Sequence, residues 1–181
     1  MDQLFAPWRI EWVTRDRGDD FEGCVFCAFR DDEADRENLV VARGERAFVL
    51  LNNYPYNPGH VMVIPHDHTG RLETLPDAAM ASHAGVLRST LAALREAMAP
   101  DGFNVGYNLG DVAAGGSIGD HVHAHVVPRW SGDTNFMPVV SDTKVVVEAL
   151  ESTYDRLRGA FADLEGARDP GDDRAVELRQ G

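Results

Sequence analysis

Three of the chain's seven histidines stand at alternate positions, His121, His123 and His125, in the stretch GDHVHAHVVPRW. A β-strand turns alternate side chains to one face and rises about 3.3 Å per residue, so an extended segment here sets three imidazoles in a row, about 6–7 Å apart. With an ordinary pKa of about 6.5, imidazole is mostly neutral at pH 7 and can attack phosphorus, accept a proton or ligate a metal. Val122 and Ala124 take the opposite face, as suits a strand with one side against a core. Serine, threonine, lysine or glutamate would serve equally at merely exposed positions, so the repeated histidine points to chemistry. One alternative, a catalytic metal held by two alternate histidines, demands further carboxylate or histidine ligands on a neighbouring strand, and none is evident.

A second group is the cysteine pair of CVFC, Cys24 and Cys27. Two thiolates at this spacing can meet one metal ion, but they supply only half a site. A dithiol redox pair and two reduced cysteines packed as small apolar side chains are the other readings. His60 and His83 receive no assignment. Trp130 and Phe136 are candidates for contact with a base or a neighbouring subunit, and equally for the core.

These residues need a scaffold. From residue 39 the chain is written in short β-like runs, LVVAR, AFVLLN from Ala47 and VMVIP from Val61, separated by turn-rich GE and NNYPYNPG. An antiparallel meander is expected. The period then changes: Met80, Ala84, Leu87, Leu91, Leu94 and Met98 form one apolar stripe on a helix, with Pro76 suited to its first turn and PDG at 100–102 ending it. Strands FNVGYNL from Phe103 and HVHAHVV from His121 follow, joined by the small-residue loop GDVAAGGSIGD. Beyond Asp142, a candidate N-cap, Val147, Leu150, Tyr154, Leu157, Phe161 and Leu164 mark a second amphipathic helix. The reading is an N-terminal extension over 1–20, one domain over 21–140, a C-terminal helix within 141–165 packed on it, and a polar tail over 166–181, flexible or loosely docked. The fold class is α+β: an antiparallel sheet with a long helix and a C-terminal helix packed on it.

Composition narrows the function. The 181 residues, 44% hydrophobic and 26% charged, suffice for one self-supporting core. With 17 basic against 30 acidic residues the formal net charge is -13, which excludes a generic nucleic-acid surface but permits a small anionic ligand in a sheltered pocket. Lys144 is the only lysine and aspartate outnumbers glutamate, which reads as a halophilic surface, adapted to concentrated salt where screening relieves self-repulsion. No stretch approaches the roughly 20 apolar residues that cross a bilayer, and MDQLFAPWRIEWV lacks the basic start of a signal peptide, so a cytoplasmic protein without membrane contact is expected.

HVHAHVV is similar to the motif of the histidine triad (HIT) family, His-x-His-x-His followed by two apolar residues. The resemblance runs from about Cys24 to Phe136 and includes NPGHVMVIP at 57–65 and GFNVGYNLG at 102–110. YPYNPGH, GFNVGYNLG, AGGS and HVVPRW, with APWRIEW near the start, resemble its diadenosine tetraphosphate phosphorylase branch. The resemblance implies a nucleotidyltransferase or hydrolase in which His123 attacks the α-phosphorus and forms a nucleotidyl-imidazole intermediate. His125 then orients and protonates phosphate oxygens, and Gly115, Gly116 and Ser117 steady the charge. It places Asn52 at the ribose hydroxyls and Asn108 near the phosphates. Gly116 stands where many members have glutamine, and the spacer to His121 is one residue longer. The missing glutamine disfavours simple hydrolysis, and the glycine leaves room for inorganic phosphate as acceptor.

The resemblance further implies a structural zinc ion on Cys24, Cys27, His68 and His121, with His66 as the alternative to His68, and a homodimer or larger assembly. An adenosine nucleotide or dinucleoside polyphosphate is the implied substrate. Hydrolysis of an AMP-phosphoramidate is the alternative activity, and a nucleotide-binding sensor with little turnover the rival class.

Overall fold

In the computed structural model, the structure describes residues 23–110, 118–133, 149–171 and 173–179. The sheet is built outward from its second strand, β2 (Ala47–Leu51), all five residues of which are buried. Ala47, Val49 and Leu51 enter one core, Phe48 and Leu50 another. A strand covered on both faces needs an unbroken apolar run, which AFVLL supplies. β1 (Val40–Arg43) and β3 (Val61–Pro65) flank it antiparallel, with Phe48 opposite Ile64 and Val49 opposite Val63. β4 (Gly102–Tyr107) and β5 (Ala124–Arg129) extend the sheet past β3, with Met62 opposite His125 and Gly106 on His125's other side.

One face carries two helices. α2 (Asp77–Met98) and α3 (Leu150–Ala162) pack on each other, α2 also on β2 and β3, and α3 on β1. Tyr154, Leu157 and Phe161 are buried as the sequence pattern requires; Asp142 and Val147 lie outside the described residues. In α2 the buried face differs from the expected stripe. It is formed by Ala79, Ser82, His83, Val86, Thr90, Ala93 and Leu94, while Leu87, Leu91 and Met98 pack at its margin and Ala84 is exposed. Small side chains let the helix axis approach the sheet, and the larger apolar residues seal the edge of that contact.

The opposite face is covered by a short helix, α1 (Val25–Asp31), which the sequence pattern did not show. Its Phe26 joins Val40, Phe48, Leu50, Ile64 and Ala175 in the second core. Burying such a side chain stabilises the fold by about 1.5–3 kcal/mol.

Beyond 165 the chain docks on the sheet, one of the two alternatives that its sequence left open. Ala167–Arg168 (β6) and Val176–Leu178 (β7) form a hairpin, and Ala175, Val176 and Leu178 are buried. β7 runs parallel to β1, Ala42 opposite Val176, so the seven-stranded sheet, in the order β4-β5-β3-β2-β1-β7-β6, is mixed rather than antiparallel. AVEL is too short to reveal a period beside the polar DPGDD, and only pairing with β1 makes it a strand.

Two glycines position the site. Gly59 has φ +75°, and a Cβ there would collide with Met98 at the end of α2. At Gly70 a Cβ would strike the Gly119 carbonyl, so glycine lets the 66–70 loop lie against the approach to β5.

On α2, buried His83 sets Nε2 2.9 Å from the Tyr107 hydroxyl, and burial pulls its pKa from 6.5 down to about 4. The unfolded chain therefore takes up this proton first. The stability that neutral His83 contributes is whole above pH 6.5 and drains away as the pH falls toward 4. His83→Gln, polar but not titrating, should flatten the fall of urea-unfolding stability across that window; an unchanged slope would show that His83 does not control it.

Candidate active site and metal centre

The three histidines do not form a row of equals. β5 begins at Ala124, three residues later than the alternation suggested, because the Val122 N–H donates to the Thr69 carbonyl at 2.7 Å and not to a sheet neighbour. His121 and His123 stand on the approach to the strand. The His123 and His125 rings meet edge to face at 4.9 Å between centroids, while His121 turns toward the cysteines.

His123 is 5% exposed, and its Nδ1 lies 2.9 Å from the carbonyl oxygen of His121. A carbonyl only accepts, so Nδ1 carries the proton and Nε2 keeps its lone pair. The Phe26 ring packs against it at 5.2 Å. Burial lowers the His123 pKa below its ordinary value, with the bond to the His121 carbonyl in partial opposition. A neutral imidazole of fixed tautomer follows, and that is the state of a nucleophile.

His125 is set by a relay that begins at His60, which is fully buried and was assigned nothing from sequence. The Tyr56 N–H donates to His60 Nδ1 at 3.1 Å, and the Asn52 amide lies 3.3 Å from the same atom. Neutral His60 therefore holds its proton on Nε2, which donates to His125 Nδ1 at 3.0 Å. The His125 proton is thereby placed on Nε2, on the side of Asn108, whose amide is 3.4 Å away. That proton is available to a phosphate oxygen. Tyr56 stacks on His60 at 4.7 Å and fixes the ring plane.

The alternation of β3 held the missing signal. Val61 and Val63 enter the helix-side core, so His60 and Met62 share the other face, and Met62 is paired with His125. Phe26 was likewise hidden as the apolar residue inside CVFC. Asn52 and Asn108 both reach the relay, although Asn52 also caps a turn by accepting the Tyr54 N–H at 2.9 Å. Gly115, Gly116, Ser117 and Phe136 lie outside the described residues.

Beside His123, Cys24, Cys27, His68 and His121 bring one donor atom each within 4.8 Å of one another. Cys24 Sγ is 3.2 Å from His121 Nδ1, Cys27 Sγ 3.2 Å from His68 Nδ1, and Cys27 Sγ 3.8 Å from His121 Nδ1. Those separations match the edges of a tetrahedron of zinc–sulfur and zinc–nitrogen bonds about 2.0–2.3 Å long. The partners of the two imidazoles fit the same arrangement. His121 Nε2 donates to the Pro65 carbonyl at 2.8 Å and so leaves Nδ1 unprotonated, and His68 Nε2 faces the Asp120 carboxylate at 3.8 Å. His66 stays outside the cluster: its ring tilts against Phe48, and its buried Nε2 has no partner among the described residues.

The model of the HIT domain matches residues 33–132, more than half of the chain. The chain belongs to the HIT domain family. It is 45% identical over 167 residues to an AP-4-A phosphorylase of Mycobacterium tuberculosis, covering 90% of this chain and 85% of that one. An adenosine 5′-monophosphoramidase of Saccharomyces cerevisiae is 30% identical over 148 residues, covering 80% of this chain and 84% of the relative. Among solved structures, a zinc-bound histidine triad family protein from Mycobacterium smegmatis superposes with a TM-score of 0.60 at 31% identity, over 77% of this chain and 94% of the other. The HIT fold expected from the motif is thus the fold observed.

The relay predicts a kinetic signature. His60→Phe keeps a ring but loses the N–H to His125, and turnover of an adenylyl substrate should fall about tenfold with little change in KM. His60→Gln, which can still donate, should recover part of the loss. Equal rates in all three proteins would remove His60 from the site.

Proposed function

We propose that this HIT protein is a dinucleoside polyphosphate phosphorylase acting through a nucleotidyl-His123 intermediate. The observation that carries the reading is the buried His123, with Nδ1–H committed to the His121 carbonyl, its pKa lowered by burial, and the lone pair left on Nε2. With diadenosine tetraphosphate, Nε2 attacks an α-phosphorus and the α–β anhydride bond breaks. His125 Nε2–H meets the departing phosphate oxygen, ATP leaves, and AMP stays on His123. Inorganic phosphate then attacks the same phosphorus, the P–N bond breaks, and ADP is released. The two displacements replace one difficult transfer, and the likeness to an AP-4-A phosphorylase supports this order. Asn52 is assigned to the ribose hydroxyls, Asn108 to the phosphates, and Gly115, Gly116 and Ser117 to the charge on phosphorus, with Gly116 making room for the phosphate acceptor. Release of AMP by water from a phosphoramidate is the second reading, favoured by the likeness to the yeast phosphoramidase.

Cys24, Cys27, His68 and His121 would hold a structural zinc ion, whose charge binds the thiolates together. The four ligands staple the start of α1 to the approach of β5 and fix His121. A homodimer is part of the proposal. β4 is an edge strand, and Val105 and Leu109 are the exposed large hydrophobic residues among those described, an arrangement suited to a second sheet. Among the described residues no helix is long and apolar enough to cross a membrane. The acidic surface is proposed to work in concentrated salt.

Diadenosine tetraphosphate should yield ADP plus ATP only when inorganic phosphate is present at high KCl, with products separated by ion exchange. His123→Asn should lose turnover but keep nucleotide affinity. AMP formed without phosphate would replace phosphorolysis by hydrolysis. Because the His123 pKa is lowered, its reactive neutral form persists into mild acid. The acid limb of kcat/KM should therefore fall below pH 6.5, and a limb above that value would exclude His123 as the titrating nucleophile.

Purified protein should contain one zinc per chain by plasma mass spectrometry. Cys27→Ser removes one of the four ligands and should lower zinc affinity by more than the roughly 100-fold that losing a ligand's hydrogen-bond partner costs, and it should destabilise the fold before it affects chemistry. Wild-type chains that fold normally without zinc would remove the metal from the reading.

A further inference from the structure

Asp35 is a carboxylate only 1% exposed, and it belongs to neither site described above. Its Oδ1 accepts two bonds from Arg43, from Nε at 2.8 Å and from Nη2 at 2.6 Å. Its Oδ2 accepts the backbone N–H of Ala175 at 2.7 Å and faces Arg174 Nε at 3.5 Å. Arg43 ends β1 and directs its other donors at the C-terminal end of α1. Nη1 donates to the Arg30 carbonyl at 3.0 Å, and Nη2 to the carbonyls of Phe29 at 2.7 Å and Asp32 at 2.9 Å.

A helix of seven residues does not hold its own shape, because so few turns cannot repay nucleation. α1 nevertheless carries two groups that must be placed well. Cys27 is a member of the metal cluster, and Phe26 packs on the rings of both His121 at 5.5 Å and His123 at 5.2 Å. The carbonyl end of α1 is held by a guanidinium whose own position is set by a buried carboxylate. That carboxylate is in turn satisfied by the C-terminal segment that docks β7 on β1. Only a planar fork can meet one carboxylate and three carbonyls at once; an ammonium cannot.

We propose that Arg43, locked by Asp35, which is itself held by the Ala175 backbone N–H and the Arg174 side chain, is a positioning residue that sets α1, and through it Phe26 and Cys27, against the triad. The C-terminal segment is thereby a part of the active-site scaffold. The proposal rests on the reading of His123 as nucleophile and of the Cys/His cluster as a metal centre. Its first readout needs neither.

The test compares wild type, Arg43→Lys, Ala175→Pro, which removes the N–H to Asp35, and Leu157→Ala, a control that weakens the core on the far face of the sheet. All are compared well below their melting temperatures. Amide exchange at Ala28 and Asp32 should quicken at least roughly tenfold in the first two variants and stay unchanged in the control. Zinc release to a chromogenic chelator should rise roughly tenfold, and kcat should fall more than KM rises, in the same two variants only. If Arg43→Lys fails to fold, Ala175→Pro carries the comparison. Exchange at α1 that follows global stability alike in all variants would overturn the proposal. Wild-type protein lacking turnover or zinc would instead overturn the functional reading, while the exchange data still decide the role of Arg43.

Discussion

One hydrogen bond decides which nitrogen of the buried His123 imidazole can react: Nδ1–H to the carbonyl of His121, 2.9 Å away. The bond is between residues two apart and exists only while the backbone at His121 is held. The His121 ring provides that hold, with Nε2 on the Pro65 carbonyl and Nδ1 among the sulfurs. A metal ion held at that cluster would therefore have a consequence at the neighbouring ring: it would fix the His121 carbonyl, which keeps the proton on His123 Nδ1 and leaves Nε2 its lone pair. Burial acts in the same direction by disfavouring the charged imidazolium.

The sheet divides the remaining work between its faces. The helix side gathers the large core of α2, α3 and the inward residues of β1, β2, β3 and β5, where stability resides. The other side holds a thinner core under α1 and carries the triad and His60. Gly59, at the end of α2, lets the turn into β3 close against Leu94 and Met98, and the next residue is His60. Helix packing on one face therefore places the first member of the relay on the other.

How much of this the sequence disclosed depends on the range of each interaction. β2, β3 and β4, the two long helices and the triad were legible because an apolar period or a repeated residue type lies within one short window. The cysteine pair of the Cys/His cluster stood out by its spacing, but its grouping with His68 and His121 came only through the family likeness, since 97 residues separate Cys24 from His121. β7 was hidden because a strand of three residues has no period of its own. His60 was legible in principle: the alternation in VMVIP places it on the histidine face, but only once β3 is known to neighbour β5. Phe26 and Arg43 could not be found, because their roles lie in contacts that no local pattern encodes.

The late start of β5 explains why a spacing of two residues can serve three different tasks. Had the strand begun at His121, regular pleating would have pointed three rings one way with their backbone groups consumed by the sheet. Instead the Val122 N–H is taken by Thr69, and the His121 carbonyl remains free to accept from His123. His125, inside the strand, keeps regular pairing with Met62 and Gly106 and is oriented by side chains alone. One irregular step in the backbone thus gives three different settings to residues that the sequence writes as identical: His121 joins the Cys/His cluster, His123 has its tautomer fixed by a carbonyl, and His125 is held by His60.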